Sequence, residues 1–225
     1  MLTCVIPTLN EGRNLELLLP KIKNYCDEIL IIDDGSTDNT IEIAKKFNCS
    51  ILQRTNKTGV GSAVIDGVAA AAGDTVAIVD GDMSHPVESL KAVSLIYEDI
   101  VDIVKYSRFI AGGKMENTIR WYLQSWYNRI VNILAGTRVS DFTGGFLIAK
   151  KKCFNYSSVA VHGEWIIEFM LNNKNKRIAE VPYIYGFRKF GESKFAGKKD
   201  FIRMIRYLYF IFFFHLKKKT VTNSF

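Results

Sequence analysis

Apolar and polar positions follow two different rhythms along the first hundred residues, and the rhythms take turns. Short runs rich in aliphatic and β-branched residues predict strands over Leu2–Ile6, Glu28–Ile32, Ser50–Gln53, Thr75–Val79 and Ile100–Lys105. Between them, apolar residues at three- and four-residue spacing predict helices over Asn14–Tyr25, Thr40–Phe47, Gly61–Ala72 and Val87–Tyr97. Strands that alternate with helices build parallel sheets covered on both faces, so the expected fold class is α/β, a mostly parallel sheet flanked by helices. No repeat, low-complexity linker or clear boundary interrupts the alternation.

The polar residues follow the same pattern. Pro7, Asn10 and Glu11 come after the first strand, Asp33 and Asp34 after the second, and Asp80 and Asp82 after the fourth. In an open sheet whose strands run the same way, these positions share one edge, where ligands of such sheets bind. Five carboxylates on one rim repel each other unless a cation or hydrogen-bond donors neutralise them, and a hard divalent ion is the simplest answer. Asp80-Gly81-Asp82 ends the apolar run DTVAIVD, and two carboxylates one residue apart suit Mg2+ or Mn2+ that keeps sites open for phosphate oxygens. Asp-x-Asp also occurs in plain turns. Asp38 is expected to cap the following helix and Asp34 to meet the ligand.

Composition narrows the picture. With 225 residues, 48% of them hydrophobic and 24% charged, the chain can bury a full core, and disorder is excluded. Cys4, Cys26, Cys49 and Cys153 lack metal-finger spacing and fit a reducing compartment. Neither a basic leader nor a small-residue cleavage site follows Met1, so no signal peptide is expected.

Charge is uneven. From Arg188 onward ten Lys and Arg face only Glu192 and Asp200, although the whole chain carries a net charge of just +7. Such a segment suits the phosphates of a nucleotide, a lipid or a nucleic acid; a solvated basic tail is the alternative. Within it Tyr207–Leu216 is the most apolar run, about 15 Å of helix and half a bilayer core, too short to span. Flanked by basic residues, it fits an amphipathic helix lying in a headgroup region; packing on the domain's own core is the alternative.

Six motifs, CVIPTLNEGRNL, ILIIDDGSTDNT, AIVDGDMSHP, YSRFIAGGKMEN, VSDFTGGF and EVPYIYGFRKFGESKFAG, resemble in order and spacing those of family 2 glycosyltransferases, most closely the dolichol-phosphate mannosyltransferase branch. The resemblance covers residues 1 to about 200 and implies a GT-A (Rossmann-like) domain over 1–200, with 201–225 as a basic and apolar helix and tail at a membrane surface. It implies inverting transfer of a sugar, mannose favoured, from a nucleotide sugar, GDP-mannose favoured, to a polyprenyl or dolichyl phosphate. Transfer of glucose or another sugar, or a catalytically silent binding or scaffolding subunit, are the rival readings. Pro7, Leu9, Glu11, Ile32 and Asp34 are the implied base and ribose contacts. Asp80, Gly81 and Asp82 are implied at the metal and diphosphate, with Ser84 as a further metal ligand. Arg108, Arg188 and Lys194 are implied at the donor and acceptor phosphates. Leu9 departs from the tyrosine common in this branch, and a further family arginine aligns only near Arg120. The implied location is peripheral, on the cytoplasmic face of a membrane, without a full transmembrane span.

Other residues read more plainly. His85 belongs to the loop that starts a helix. Glu164, beside His162, begins the helix EWIIEFML. Gly59 and Gly61 lack the context of a dinucleotide fingerprint. Trp121, Tyr122, Trp126 and Tyr127 recur at helical spacing, as core or as an interfacial belt. The basic run matches no nucleic-acid module, so no nucleic-acid partner is expected.

Overall fold

Strand β1 (Leu2–Thr8) lies inside a seven-stranded sheet and pairs in parallel with β2 (Glu28–Asp33) on one side and β4 (Thr75–Ile78) on the other. A computed structural model describes the chain except for residues 56–58, 116, 156–163, 187, 192–203, 210 and 213–225. β3 (Ser50–Gln53) continues the sheet beyond β2. Past β4 come β7 (Leu147–Lys150), β5 (Ile103–Ser107) and β8 (Ile178–Pro182), giving the order β3-β2-β1-β4-β7-β5-β8. Helices α1 (Gly12–Ile22), α2 (Thr40–Lys46) and α3 (Val60–Ala70) link the first four strands. Beyond them lie α4 (Ser94–Tyr97), α5 (Thr118–Ala135) and α6 (Glu164–Asn172). A two-stranded ribbon of β6 (Lys114–Met115) and β9 (Ile184–Tyr185) sits apart from the sheet.

Alternation along the strands builds two cores. On β1, Val5 enters one cluster with α3, α5 and α6, while Cys4 and Ile6 enter the other with α1 and α2. α1 turns Leu15, Leu18, Leu19 and Ile22 inward, all fully buried and each contributing about 1.5–3 kcal/mol. Gly67 lets α3 sit close to the sheet, because a Cβ there would come within 2.4 Å of Val5.

The expected elements are present, with several shifts. β1 runs on to Thr8, so Pro7 lies inside the strand rather than after it; the β4 pairing has already ended at Val5–Ile78, where a missing N–H matters less. The strand expected at Ile100–Lys105 begins three residues later, because Glu98–Val101 fold back onto Ser94–Ile96. Val87–Tyr97 is not one α-helix but a 3-10 segment, Val87–Val93, followed by the single turn of α4. Not every strand runs the same way, since β7 is antiparallel to both neighbours. β1, β2 and β4 remain parallel, which keeps their carboxyl ends on one edge.

At the other end of the chain, residues 204–209 and 211–212 are helical. Tyr207 and Ile211 are buried in the core cluster of α5 and α6, Tyr127 donates to the Met204 carbonyl, and Arg206 pairs with Glu164 at 2.6 Å. These turns therefore pack on the domain, while Ile205, Tyr209 and Phe212 stay exposed. Among the described residues, no helix is long and apolar enough to cross a membrane.

Candidate active site

The chain runs outward from β1 through β2 to β3, then returns to place β4 on the opposite side of β1. The carboxyl ends of β1 and β4 thus flank a topological switch point, where open α/β sheets bind ligands. Glu11 stands on one side and Asp80 to Ser84 on the other. Gly81 faces β1, and a Cβ built on it would lie 3.5 Å from Ile6 and Thr8.

Three carboxylates meet here, not five. Glu11 pairs with the Arg188 guanidinium and accepts from Asn14 at 2.7 Å, and Arg188 also reaches Asp82 at 3.6 Å. Asp80 lies close by, where removal from water and then the charges of Asp82 and Glu11 hold its carboxyl up at about 7. Its side chain is 44% exposed, and Oδ2 lies 3.5 Å from the Nε2 of His85. Asp33 is elsewhere: fully buried, it accepts from the Gly35 and Ser36 backbones and from the Ser36 and Thr8 hydroxyls, and so shapes the turn. Asp34 turns toward Arg54, 2.9 Å away, and accepts from the Gly59 N–H. The shared rim resolves into one acidic cluster and two separately satisfied groups.

The loop after β9 closes onto this cluster. Gly186 N donates to the Ser84 carbonyl at 3.1 Å and Lys189 N to the Asp82 carbonyl at 3.3 Å. Asn14 bridges across 176 residues, its side chain donating to the Phe190 carbonyl and accepting from the Phe190 N–H. Arg188 Nε donates to the same carbonyl at 2.7 Å, which fixes the guanidinium over Glu11. Lys194 lies outside the described residues.

A second cationic group is buried next to the cleft. Arg108, at the end of β5, makes a two-pronged pair with Asp141: Nε to Oδ2 at 2.6 Å and Nη2 to Oδ1 at 2.8 Å. Gln124 of α5 accepts from Nη1 at 3.1 Å, and the Trp121 indole donates to the Arg108 carbonyl at 2.7 Å. Burial opposes the charge of Arg108, but Asp141 outweighs it and keeps the guanidinium protonated above its ordinary range. Burial likewise opposes the charge of Asp141, and Arg108 followed by Lys105 hold it down at about 2. Lys105, fully buried, is lowered to about 8 by burial and donates to the Gly144 carbonyl at 2.7 Å. Arg54, Asp141, Asn14 and Gln124 carry these contacts, and local spacing gave no sign of their roles. Only the run VSDFTGGF pointed near Asp141.

The remaining candidates fall into place as follows. Ile32 has a fully buried side chain within the α3 core, so only its backbone is available to a ligand. Leu9 is half-buried beside the switch point. Arg120 lies in the first turn of α5, where Asn117 caps its N–H. Asp38 stands one residue before the cap of α2 and accepts from the Thr40 and Gly12 N–H groups, tying two helix starts together. Glu164 begins α6 as expected. His85 is buried, stacked on Phe146 at 4.3 Å, and accepts from the Asp80 N–H; burial pushes its ring down to about 3. It stays neutral near pH 7.

Among the described residues, no three His, Cys, Asp or Glu side chains cluster as a ready metal cage. Two carboxylates are nevertheless present, and the buried Ser84 hydroxyl beside them makes no hydrogen bond of ordinary geometry. That donor set of hard oxygens fits a Mg2+ or Mn2+ ion that takes its other ligands from phosphate and water.

An open α/β sheet whose switch point gathers Asp-x-Asp, a loop-borne arginine and a buried arginine defines a ligand-binding α/β class of protein. Residues 3–158 match the profile of Glycosyl transferase family 2, and the chain belongs to that family. It is 31% identical over 91% of its length to a dolichol-phosphate mannosyltransferase of Pyrococcus furiosus, spanning 62% of that longer relative. It is 28% identical to a polyprenol monophosphomannose synthase of Mycolicibacterium smegmatis, over 86% of this chain and 80% of the relative. In structure it is similar to glucosyl-3-phosphoglycerate synthase of Mycobacterium tuberculosis, solved with Mn2+, UDP and glucosyl-3-phosphoglycerate. That likeness has a TM-score of 0.69 at 19% identity, covers 94% of this chain and 78% of the other, and establishes the GT-A fold.

Proposed function

We propose that this chain transfers mannose from a nucleoside diphosphate donor, GDP-mannose favoured, to the phosphate of a polyprenyl or dolichyl lipid, inverting the anomeric carbon. The supporting observation is the meeting of Glu11, Asp80, Asp82 and Arg188 beside buried Arg108, in a family member whose relatives carry mannosyltransferase names.

Asp80, Asp82 and Ser84 would hold a divalent ion, which would compensate charge on the leaving diphosphate. Around it Pro7, Leu9, Glu11, Ile32, Asp34 and Gly81 line the nucleotide. Arg188 is a cation already seated at the cluster; a diphosphate exchanges with Glu11 and Asp82 for its guanidinium. Arg108, fixed by Asp141, offers a charge that needs no rearrangement when negative charge develops. The acceptor is its own nucleophile, because a monoalkyl phosphate has a second pKa of about 6 and needs no side-chain base. Holding two anionic partners together is then the main task of the protein. Lys194 joins Arg188 in that task. A lipid acceptor brings the reaction to a membrane surface, with the protein peripheral on its cytoplasmic side.

The test is a panel of labelled nucleotide sugars with a short, water-soluble isoprenyl phosphate, with and without chelator. Mannosyl transfer that needs Mg2+ or Mn2+ and yields the inverted linkage is expected. Preference for another donor replaces the sugar, whereas nucleotide binding without any transfer overturns the enzyme reading in favour of a silent subunit.

A further inference from the structure

One tyrosine beside the cleft aims its hydroxyl differently from the buried ones. Tyr106 and Tyr127 donate to backbone carbonyls, of Ser89 at 2.5 Å and of Met204 at 2.7 Å, so their hydroxyls serve packing. Tyr185, half-buried on β9, has its hydroxyl against Ser84, with Asp80 and Asp82 facing it. The ring is held on several sides. Arg108 lies over it, 5.7 Å from guanidinium carbon to ring centre, and the rings of His85 and Tyr183 meet it edge-on at 6.1 and 6.3 Å. The backbone is fixed as well: Tyr185 pairs with Met115 across the ribbon, and Gly186 N donates to the Ser84 carbonyl at 3.1 Å. A phenylalanine would keep all of these ring and backbone contacts. What tyrosine adds is one O–H, set where the acidic cluster and Arg108 come together. Burial, followed by the charges of Asp80 and Asp82, pushes the phenol above its ordinary range, so near pH 7 it keeps its proton and can donate.

We infer that the Tyr185 hydroxyl donates a hydrogen bond to the diphosphate of the nucleotide sugar, a bond that strengthens as the sugar departs. The inference rests on the transferase reading above and adds to it an uncharged donor among the cations. The acceptors that face this hydroxyl, Asp80, Asp82 and Ser84, are the groups assigned to the ion. With their lone pairs turned to a cation, the O–H needs another acceptor, and phosphate oxygens are what such an ion brings with it. Negative charge on the leaving phosphate grows as its bond to the anomeric carbon breaks, so a donor fixed beforehand gains strength on the way to the transition state. No proton moves, and the phenol stays neutral. A free nucleoside diphosphate already carries that charge in full, so its affinity reports the contact without any chemistry.

The experiment is Tyr185→Phe in the 225-residue chain. Calorimetric affinities for GDP and UDP are measured at saturating Mn2+, beside the affinity for Mn2+ alone and transfer kinetics with the water-soluble isoprenyl phosphate. The variant is expected to bind the nucleoside diphosphate about tenfold more weakly or worse, and to lose about tenfold to a hundredfold in kcat. Its KM for the nucleotide sugar is expected to stay within about threefold of wild type, with Mn2+ affinity and melting temperature unchanged. Tyr106→Phe, which removes a hydroxyl that serves packing, is expected to lower the melting temperature and leave nucleotide affinity as it is. Unchanged diphosphate affinity in Tyr185→Phe, an equal loss in Tyr106→Phe, a raised KM with kcat intact, or a loss of Mn2+ affinity that accounts for the nucleotide effect would each overturn the inference. Weaker diphosphate binding in Tyr185→Phe, with no sugar transferred even by wild type, supports the contact and removes the transferase reading instead.

Discussion

The regions around Arg108 and Arg188 bring positive charge to the same cleft by opposite means. Arg108 comes from a strand end and is buried, with both prongs on Asp141 and a third contact to Gln124. Arg188 comes from a loop, keeps 19% of its side chain exposed, and leans on Glu11 and Asp82. A buried ion pair is costly to break from one side, because the partner is left charged without compensation. A pair that keeps some contact with solvent can trade partners at a lower cost, provided an incoming charge replaces the one lost. The first region is therefore scaffold that carries charge, and the second is an exchangeable contact for an anion.

The largest effect tests the cluster that Arg188 serves. Asp82→Asn is expected to lower initial transfer rates about a thousandfold, with the melting temperature within about 2 °C of wild type. Retained activity, with or without chelator, would remove Asp82 from the ion site.

Next come the two arginines themselves, compared by urea unfolding and by transfer kinetics. Arg108→Ala is expected to cost about 3–5 kcal/mol of stability, whereas Arg188→Ala, whose guanidinium is the more exposed but whose loss leaves Glu11 unpaired, costs less, about 1–3 kcal/mol. Arg188→Ala should still lower kcat/KM about a hundredfold. Equal stability losses would erase the distinction between the two regions.

Acid sharpens the Arg108 side. Asp141 has its folded value depressed to about 2 from an ordinary 3.8. The unfolded chain takes up this proton first as pH falls, so the stabilisation is complete above about pH 4 and fades toward pH 2. The depression corresponds to about 2 kcal/mol. Asp141→Asn is expected to be less stable at pH 7 and to lose less between pH 4 and 2, measured by denaturant midpoints. A parallel fall in wild type and variant would show that another group carries the acid sensitivity.

The smallest effect concerns His85. With its ring held neutral down to about 3, it contributes no ionisation between pH 5 and 8; at saturating divalent ion, which would keep Asp80 ionised, the rate profile there is expected to follow the acceptor phosphate. His85→Gln should keep kcat within about tenfold. A fall in rate toward acid, beyond that of the acceptor's own ionisation, that is lost in this variant would make His85 the base.

Legibility differed between the regions for the same reason that they behave differently. Around β1, β2 and β4, each acidic residue follows its strand within a few positions, so strand pattern and polar endpoint are read together; Asp80, Asp82 and Glu11 were visible that way. What the pattern could not show is that Asp33 turns into its own loop and that Asp34 is taken by Arg54. The choice between them depends on side-chain direction and on a partner twenty residues away. On the Arg108 side the contacts are longer still, 33 residues to Asp141 and 16 to Gln124. The α5 aromatics show the limit in another form: helical spacing predicts a face, but not which face is covered. Tyr127 went inside while Tyr122 and Trp126 stayed out.

The sequence alone determined the alternation of strand and helix, the carboxyl-edge placement of Asp80 and Asp82, and the family motifs. These depend on local periodicity and on residues close together in the chain. Only the tertiary structure decided that β7 would run against its neighbours and that three carboxylates rather than five would share the cleft. It also decided that Asn14 and Phe190 would lock the Arg188 loop in place, and that α5 would turn an apolar face outward. Each of these is settled by packing and hydrogen bonding between segments far apart in sequence, where no local period carries the information.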